Sequence, residues 1–261
     1  MDWKEKGLQQ CGSYIEGLTA DPWHDTEAYS WALGLEENWK TIAIELSNAM
    51  KKKNLAQRGN NVWAAAAREE AMAYGPDWRT LVLQDRTWDA ANSAIFKKTT
   101  KIIKDLGVPS CEVFFARQEP RTGIKPHTDN CNFILTAHLG LDVPEGECWI
   151  RVGNERRDWR NGRTMVFDTS FEHETDNATD LPRTVLLIRF WHPEVTAVER
   201  DALSFIFAAL EDPEVLTPAL TPQPFVPDWM AVDAPAGPQP ADSRAERRRA
   251  ERERRKQEER D

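Results

Sequence analysis

From Cys111 to His192 the chain is written in short runs rich in β-branched and aromatic residues: EVFFAR, NFILTAHLGL, CWIRVG, TMVFDTS and RTVLLIRFWH. Between them lie EPRTG, DVPEGE and NERRDWRNG, whose Pro, Gly, Asn and Asp suit turns. Connections this short join neighbouring antiparallel strands. The stretch therefore predicts an all-β sandwich or barrel, and a jelly roll would close such strands around a cavity.

The preceding residues have a different period. From Thr26 to Lys53, Trp31, Leu35, Trp39, Ile42 and Leu46 recur at helical spacing with Glu36, Glu37 and Lys40 between them, which predicts an amphipathic helix docked on a core. A second helix is predicted over Thr87 to Leu106, where Trp88, Ile95, Ile102 and Ile103 recur and Gly107 supplies the stop. Residues 77–84 between them read as a strand. Past Glu211 the text turns Pro- and Ala-rich, then ends in DSRAERRRAERERRKQEERD, with nine Lys and Arg against seven Asp and Glu. That tail has no apolar stripe, so a disordered segment or a solvated helix is expected. The predicted class is mainly β with flanking helices. One domain covers 1–211, with a helical preface at about 21–107 and a jelly-roll core at about 111–200, and a linker and tail cover 212–261.

A net charge of -9 disfavours a general nucleic-acid binder, which needs clustered Lys and Arg on a basic surface. Cys11, Cys111, Cys131 and Cys148 form no CxxC pair, so a thiolate metal site is not expected and a reducing compartment fits. No signal-type apolar run opens the chain and no stretch is long enough to span a bilayer, so a soluble, cytoplasmic protein without a membrane partner is expected.

The residues that carry chemistry sit at the strand ends. In KPHTDN, His127 and Asp129 are two apart, so an extended chain turns both to one face. His173, in SFEHE after the run TMVFDT, supplies a second imidazole at the mouth of the barrel. Two histidines and one carboxylate are the ligands of the non-haem iron(II) facial triad, which leaves three positions open for a bidentate 2-oxo acid and dioxygen. Arg183, ten residues after His173, could grip the far carboxylate of 2-oxoglutarate with paired charge-assisted hydrogen bonds. The bland alternatives stay open at this point. Asp129 could cap the turn with Asn130, and Arg183 could pair with Glu172 or Glu174 at the surface. Arg151, on CWIRVG, could meet a substrate carboxylate or simply face solvent. His192, ahead of Pro193 and a helix expected to begin there, reads as structural.

At these residues the chain resembles the aspartyl/asparaginyl β-hydroxylase family of iron(II)- and 2-oxoglutarate-dependent oxygenases. The resemblance runs through KPHTDN, HLGL (His138 to Leu141), CWIRVGNE (Cys148 to Glu155), WRNGRTMVFDTSFEHE (Trp159 to Glu174) and FWHPEVTAVER (Phe190 to Arg200), and more weakly through DPWHD (Asp21 to Asp25) and LEENWKTIAIE (Leu35 to Glu45). It implies a double-stranded β-helix of the cupin-like kind. Iron(II), 2-oxoglutarate and dioxygen would be the cofactors, with ascorbate a helpful reductant. The implied reaction is hydroxylation of a C–H bond, typically the β-carbon of Asp or Asn in a polypeptide. It places His127 and His173 on the metal, Arg183 on the distal carboxylate of the cosubstrate, and His138 beside that cosubstrate. Two departures stand out: Ala116 occupies the position of a family serine that helps hold the cosubstrate, and Thr136 replaces an arginine. Asp129 stands where vertebrate members carry glycine, which gives this chain the full triad. A free amino acid or natural product is the rival substrate, and a non-catalytic interaction protein using the charged tail is the rival class.

Overall fold

The structure is a computed structural model and describes residues 7–51, 64–65 and 78–212. The Pro/Ala-rich linker beyond Asp212, the charged tail and the C-terminal end of the first predicted helix lie outside the described residues. The chain divides into two units, 1–194 and 195–261.

The first unit is built on two antiparallel sheets. In chain order its strands are β1 (Trp23–His24), β2 (Ala64–Ala65), β3 (Trp78–Asp85), β4 (Thr87–Trp88), β5 (Ser110–Gln118), β6 (Thr122–His127), β7 (Ile134–Asp142), β8 (Cys148–Val152), β9 (Glu155–Asp158), β10 (Thr164–Phe167), β11 (His173–Asn177) and β12 (Arg183–Trp191). The larger sheet runs β1-β10-β7-β12-β5-β3-β2, with β4 also paired to β3, and the smaller runs β6-β11-β8-β9. This is the jelly roll that the turn-punctuated runs predict, in the double-stranded β-helix form that the family resemblance implies. From β5 to β12 the chain passes back and forth between the sheets, β8 and β9 apart, so β11 pairs with β6 and β8 while β12 returns to lie between β5 and β7.

The centre of the larger sheet is covered on both faces, which explains why β7 and β12 read as nearly continuous apolar runs. One face packs on α1 (Ser30–Lys51) and α3 (Lys97–Asp105): Leu35, Ile42, Phe96 and Ile103 join Phe115, Leu139, Leu186 and Ile188 in one buried cluster. The other face meets the smaller sheet across a second cluster that includes Ala116, Ile150, Trp159, Phe167, Val185 and Leu187. Alternation along each strand thus sorts every second residue to the helices or to the space between the sheets. At Gly140 an added Cβ would lie 2.2 Å from the Arg160 carbonyl oxygen, so only glycine permits the chain to cross there.

The helical preface differs from the expectation in detail. The first helix begins at Ser30, after a 3-10 turn over Thr26–Ala28 capped by the Asp25 carboxylate. The second is divided: Thr87–Trp88 is a strand, and α2 (Ala90–Ile95) ends at Phe96 before α3 starts. Phe96 points into the core and has no capping side chain; Glu45 of α1 supplies the cap instead, accepting from the Lys98 and Thr99 amides at 2.9 and 2.8 Å. The described part of the second unit is α4 (Ala197–Glu211), opened by a capping box between Thr196 and Glu199. The helix predicted to start at Pro193 therefore starts four residues later, because the Thr-x-x-Glu signal sets the terminus. No described helix is long and apolar enough to cross a membrane.

Candidate functional site

The smaller sheet brings the two candidate histidines face to face. His127 closes β6, His173 opens β11, and they are direct cross-strand partners with ring centroids 4.1 Å apart. Asp129 follows two residues after β6, where its amide donates to the Thr169 carbonyl at 2.7 Å and so ties it to the segment leading into His173. That segment is fixed in turn by Asp168, whose buried carboxylate accepts from the Ser170 amide and the Gln9 side chain. One ligand atom from each of His127, Asp129 and His173 lies within 4.8 Å of the others.

The donor chemistry of this group suits a divalent metal. His127 Nδ1 sits 2.8 Å from the Lys125 carbonyl oxygen and His173 Nδ1 3.0 Å from that of Phe171. A carbonyl can only accept, so each Nδ1 carries the proton and each Nε2 keeps a lone pair. Burial, reinforced by His127, pushes the His173 imidazole down to about 4, which keeps it neutral at pH 7. For Asp129 burial works against the charge, but the Arg189 guanidinium leads the groups that outweigh it, with a hydrogen bond from Thr169 among them, and the carboxyl is held below its ordinary value. Two imidazoles and one carboxylate are thus oriented before any ion arrives.

A solvent-open pocket extends from the triad between the sheets. Its far end is Arg183, at the start of β12, which is 1% exposed. The guanidinium lies over the Trp159 ring at 4.0 Å, and Nη2 donates to Gln118 Oε1 at 2.5 Å. Nε and Nη1 are buried without a partner, and among the described residues no carboxylate pairs with it. Burial pulls its pKa down to about 10, still charged at pH 7. A buried cation with two idle donors is costly unless something anionic completes it. His138 lies beside it on β7: Trp159 Nε1 donates to His138 Nδ1 at 3.2 Å, so Nε2 carries the proton and is a second donor.

The structure also locates the other residues singled out in the sequence. Thr136 lines the cavity near the triad, and Ala116 packs between the sheets opposite Val185. Arg151 does not reach the cavity. On β8 the inward residues are Cys148, Ile150 and Val152, while Arg151 takes the outer face and pairs with Glu172 at 2.8 Å and Glu174 at 2.5 Å. Those glutamates, the alternative surface partners of Arg183, instead flank His173 in sequence and pair with Arg151. His192 is buried and its ring bonds Thr19 O and the Glu194 amide, which is a structural setting. Two residues that bear on the site's charged groups escaped the sequence reading. Gln118, which orients Arg183, carries no charge signal. Arg189 had one: it follows Arg183 by six residues on a single strand, an even interval that puts both on one face.

The family described as aspartyl/asparaginyl beta-hydroxylase matches residues 36–193, more than half of the chain. The chain belongs to this family. The mouse aspartyl/asparaginyl beta-hydroxylase is 30% identical over 208 residues, 74% of this chain and 26% of that protein. The chain thus spans about a quarter of the length of that relative. Ornithine lipid ester-linked acyl 2-hydroxylase of Rhizobium tropici is 27% identical over 176 residues, 66% of this chain and 61% of that protein. Among solved structures, a prolyl hydroxylase from Trichoplax adhaerens in complex with a hypoxia inducible factor peptide fragment gives a TM-score of 0.43 at 13% identity, covering 64% of this chain and 90% of that one.

Proposed function

We propose that this member of the family is an iron(II)- and 2-oxoglutarate-dependent oxygenase that hydroxylates an unactivated C–H bond, with the β-carbon of an Asp- or Asn-type residue as the first candidate. The observation that carries the reading is the pairing of two features in one cavity: a His127, Asp129, His173 triad and, at the other end, the fully buried Arg183 with two idle donors. The triad would hold iron(II), which, with 2-oxoglutarate and dioxygen, supplies the oxidising power for inserting oxygen into a C–H bond.

The residues of the chain provide orientation. Arg183 and His138 would receive the far carboxylate of the cosubstrate, with Gln118 and Trp159 holding the guanidinium in place. The lining contains one carboxylate, Asp129, and two guanidiniums, Arg183 and Arg189, so it is net positive before a metal adds its charge and favours a dianion. Phe114, Ile124, Ile150 and Leu187 exclude water around it.

A second reading of the substrate, a free amino acid or a natural product, is favoured by Thr136 in place of the family arginine and by that apolar lining. The substrate partner is a peptidyl or small molecule in either case. The test is succinate formation by purified protein given iron(II), ascorbate, 2-oxoglutarate and either Asp- and Asn-containing peptides or free amino acids. H127A and D129A should each abolish it, and succinate produced at the wild-type rate by both variants would refute the assignment.

A further inference from the structure

Arg189 lines the cavity and enters the function proposed above only through its charge. It lies on the central strand β12 between Glu112 of β5 and Thr136 of β7, and its Nη1 reaches Asp129 Oδ2 at 3.1 Å. Both side chains are mostly buried. We propose that Arg189 is a positioning residue for the metal centre: by engaging one oxygen of Asp129 it leaves the carboxylate a single oxygen to offer the ion. The inference rests on the reading of His127, Asp129 and His173 as a metal site.

Three arguments converge on it. The first concerns orientation. Each histidine has its own fixing contact, at Lys125 O and Phe171 O, whereas Asp129 lies beyond the end of β6, where its amide is tied to the Thr169 carbonyl and its carboxyl meets Thr169 and a charged partner. Arg189 is the corresponding contact for the carboxylate. The second concerns coordination. A free carboxylate binds a cation through one oxygen or through both. With two imidazoles, the two-oxygen mode takes four of six octahedral positions and leaves two, whereas the one-oxygen mode leaves three. A 2-oxo acid bound through two atoms, together with a third exogenous ligand, needs all three. The third concerns rigidity. β12 is hydrogen-bonded on both sides, so the base of the arginine is among the least movable points in the sheet.

The test uses Co(II) as the probe and the full chain freed of metal. R189M should weaken Co(II) binding about 10- to 100-fold and alter the visible Co(II) spectrum, the scale typical of contacts that orient a ligand. R189K, which keeps the positive charge, should recover most of the affinity, and adding R189M to D129A should cost nothing further. Thermal melts establish that each variant is folded, and R189Q takes the place of R189M if methionine destabilises the chain. An R189M protein with wild-type affinity and spectrum would overturn the role of Arg189 alone, as would an equal loss in the D129A background. Wild-type protein that takes up no Co(II) would overturn this inference together with the metal-site reading beneath it.

Discussion

Gln118 is a neutral residue that decides where a charged one points. Its Nε2 donates to the Thr122 carbonyl at 2.6 Å, which turns Oε1 toward Arg183 Nη2 and Thr175 Oγ1. Q118L keeps the volume and removes the acceptor. The KM for 2-oxoglutarate should rise roughly 10- to 100-fold with a smaller change in kcat, since a buried hydrogen bond to a charged group contributes about 1.5–3 kcal/mol. Succinate formed at varied cosubstrate concentration would show it, and an unchanged KM would remove Gln118 from the pocket's function. At this scale the sequence was legible wherever residue type carries chemistry. His127, Asp129, His173 and Arg183 stand out by type, spacing and resemblance, and the fold brings ligand atoms of the first three within 4.8 Å of one another. Gln118 was illegible because an amide in a strand has no distinctive pattern. Arg151 looked equal to the cavity arginines, and only its neighbour Ile150, which takes the inward position on β8, separates them.

Among the elements, the runs that form β5, β7, β8, β10 and β12 were read closely because burial and turn residues at each end leave little freedom in their limits, whereas β9 lies within NERRDWRNG, which reads as a turn, and the short, polar β6 and β11 carry no apolar run to mark them. The helices were read less well. Ile95 and Ile102 keep a seven-residue interval straight through the break at Phe96, so periodicity alone could not reveal that α2 and α3 are separate. The break costs α3 its own cap, and Glu45 compensates from another helix through three hydrogen bonds, to the Lys98 and Thr99 amides and the Thr99 hydroxyl. E45A should therefore destabilise the first unit by about 1–2 kcal/mol, the usual effect of losing a cap, while leaving the KM for cosubstrate unchanged. A urea titration gives the first value and the succinate assay the second. G140A should cost more, roughly 2–3 kcal/mol, because the added carbon meets a backbone oxygen that has no rotamer to escape to. A melting temperature within a degree of wild type would contradict this.

For the whole molecule, acid sensitivity has a source far from the triad. His24 bonds Tyr29 through Nδ1 at 3.0 Å, its Nε2 is buried without a partner, and its ring lies 5.8 Å from that of His192. Burial first, and His192 second, push the His24 imidazole down to about 4, against which Asp21 and Glu194 act. The unfolded chain takes up this proton near pH 6.5 while the folded chain resists until about pH 4. Stability from this group is therefore complete above pH 6.5 and falls away between there and pH 4, by at most about 3 kcal/mol at 1.36 kcal/mol per pKa unit. Urea midpoints at pH 7.5 and 4.5 should differ less in H24Q than in wild type, and equal differences would exclude His24 as a contributor.

β12 carries a guanidinium at each end of one inward face, and the register irregularities beside it fall in its neighbours, at Leu141 of β7 and Cys111 of β5. Inserting or deleting a single amino acid between positions 183 and 189 would rotate everything beyond it by half a turn, sending one arginine toward the helices. This stretch can accept exchanges of one apolar side chain for another, but its length is as constrained as any residue in the triad.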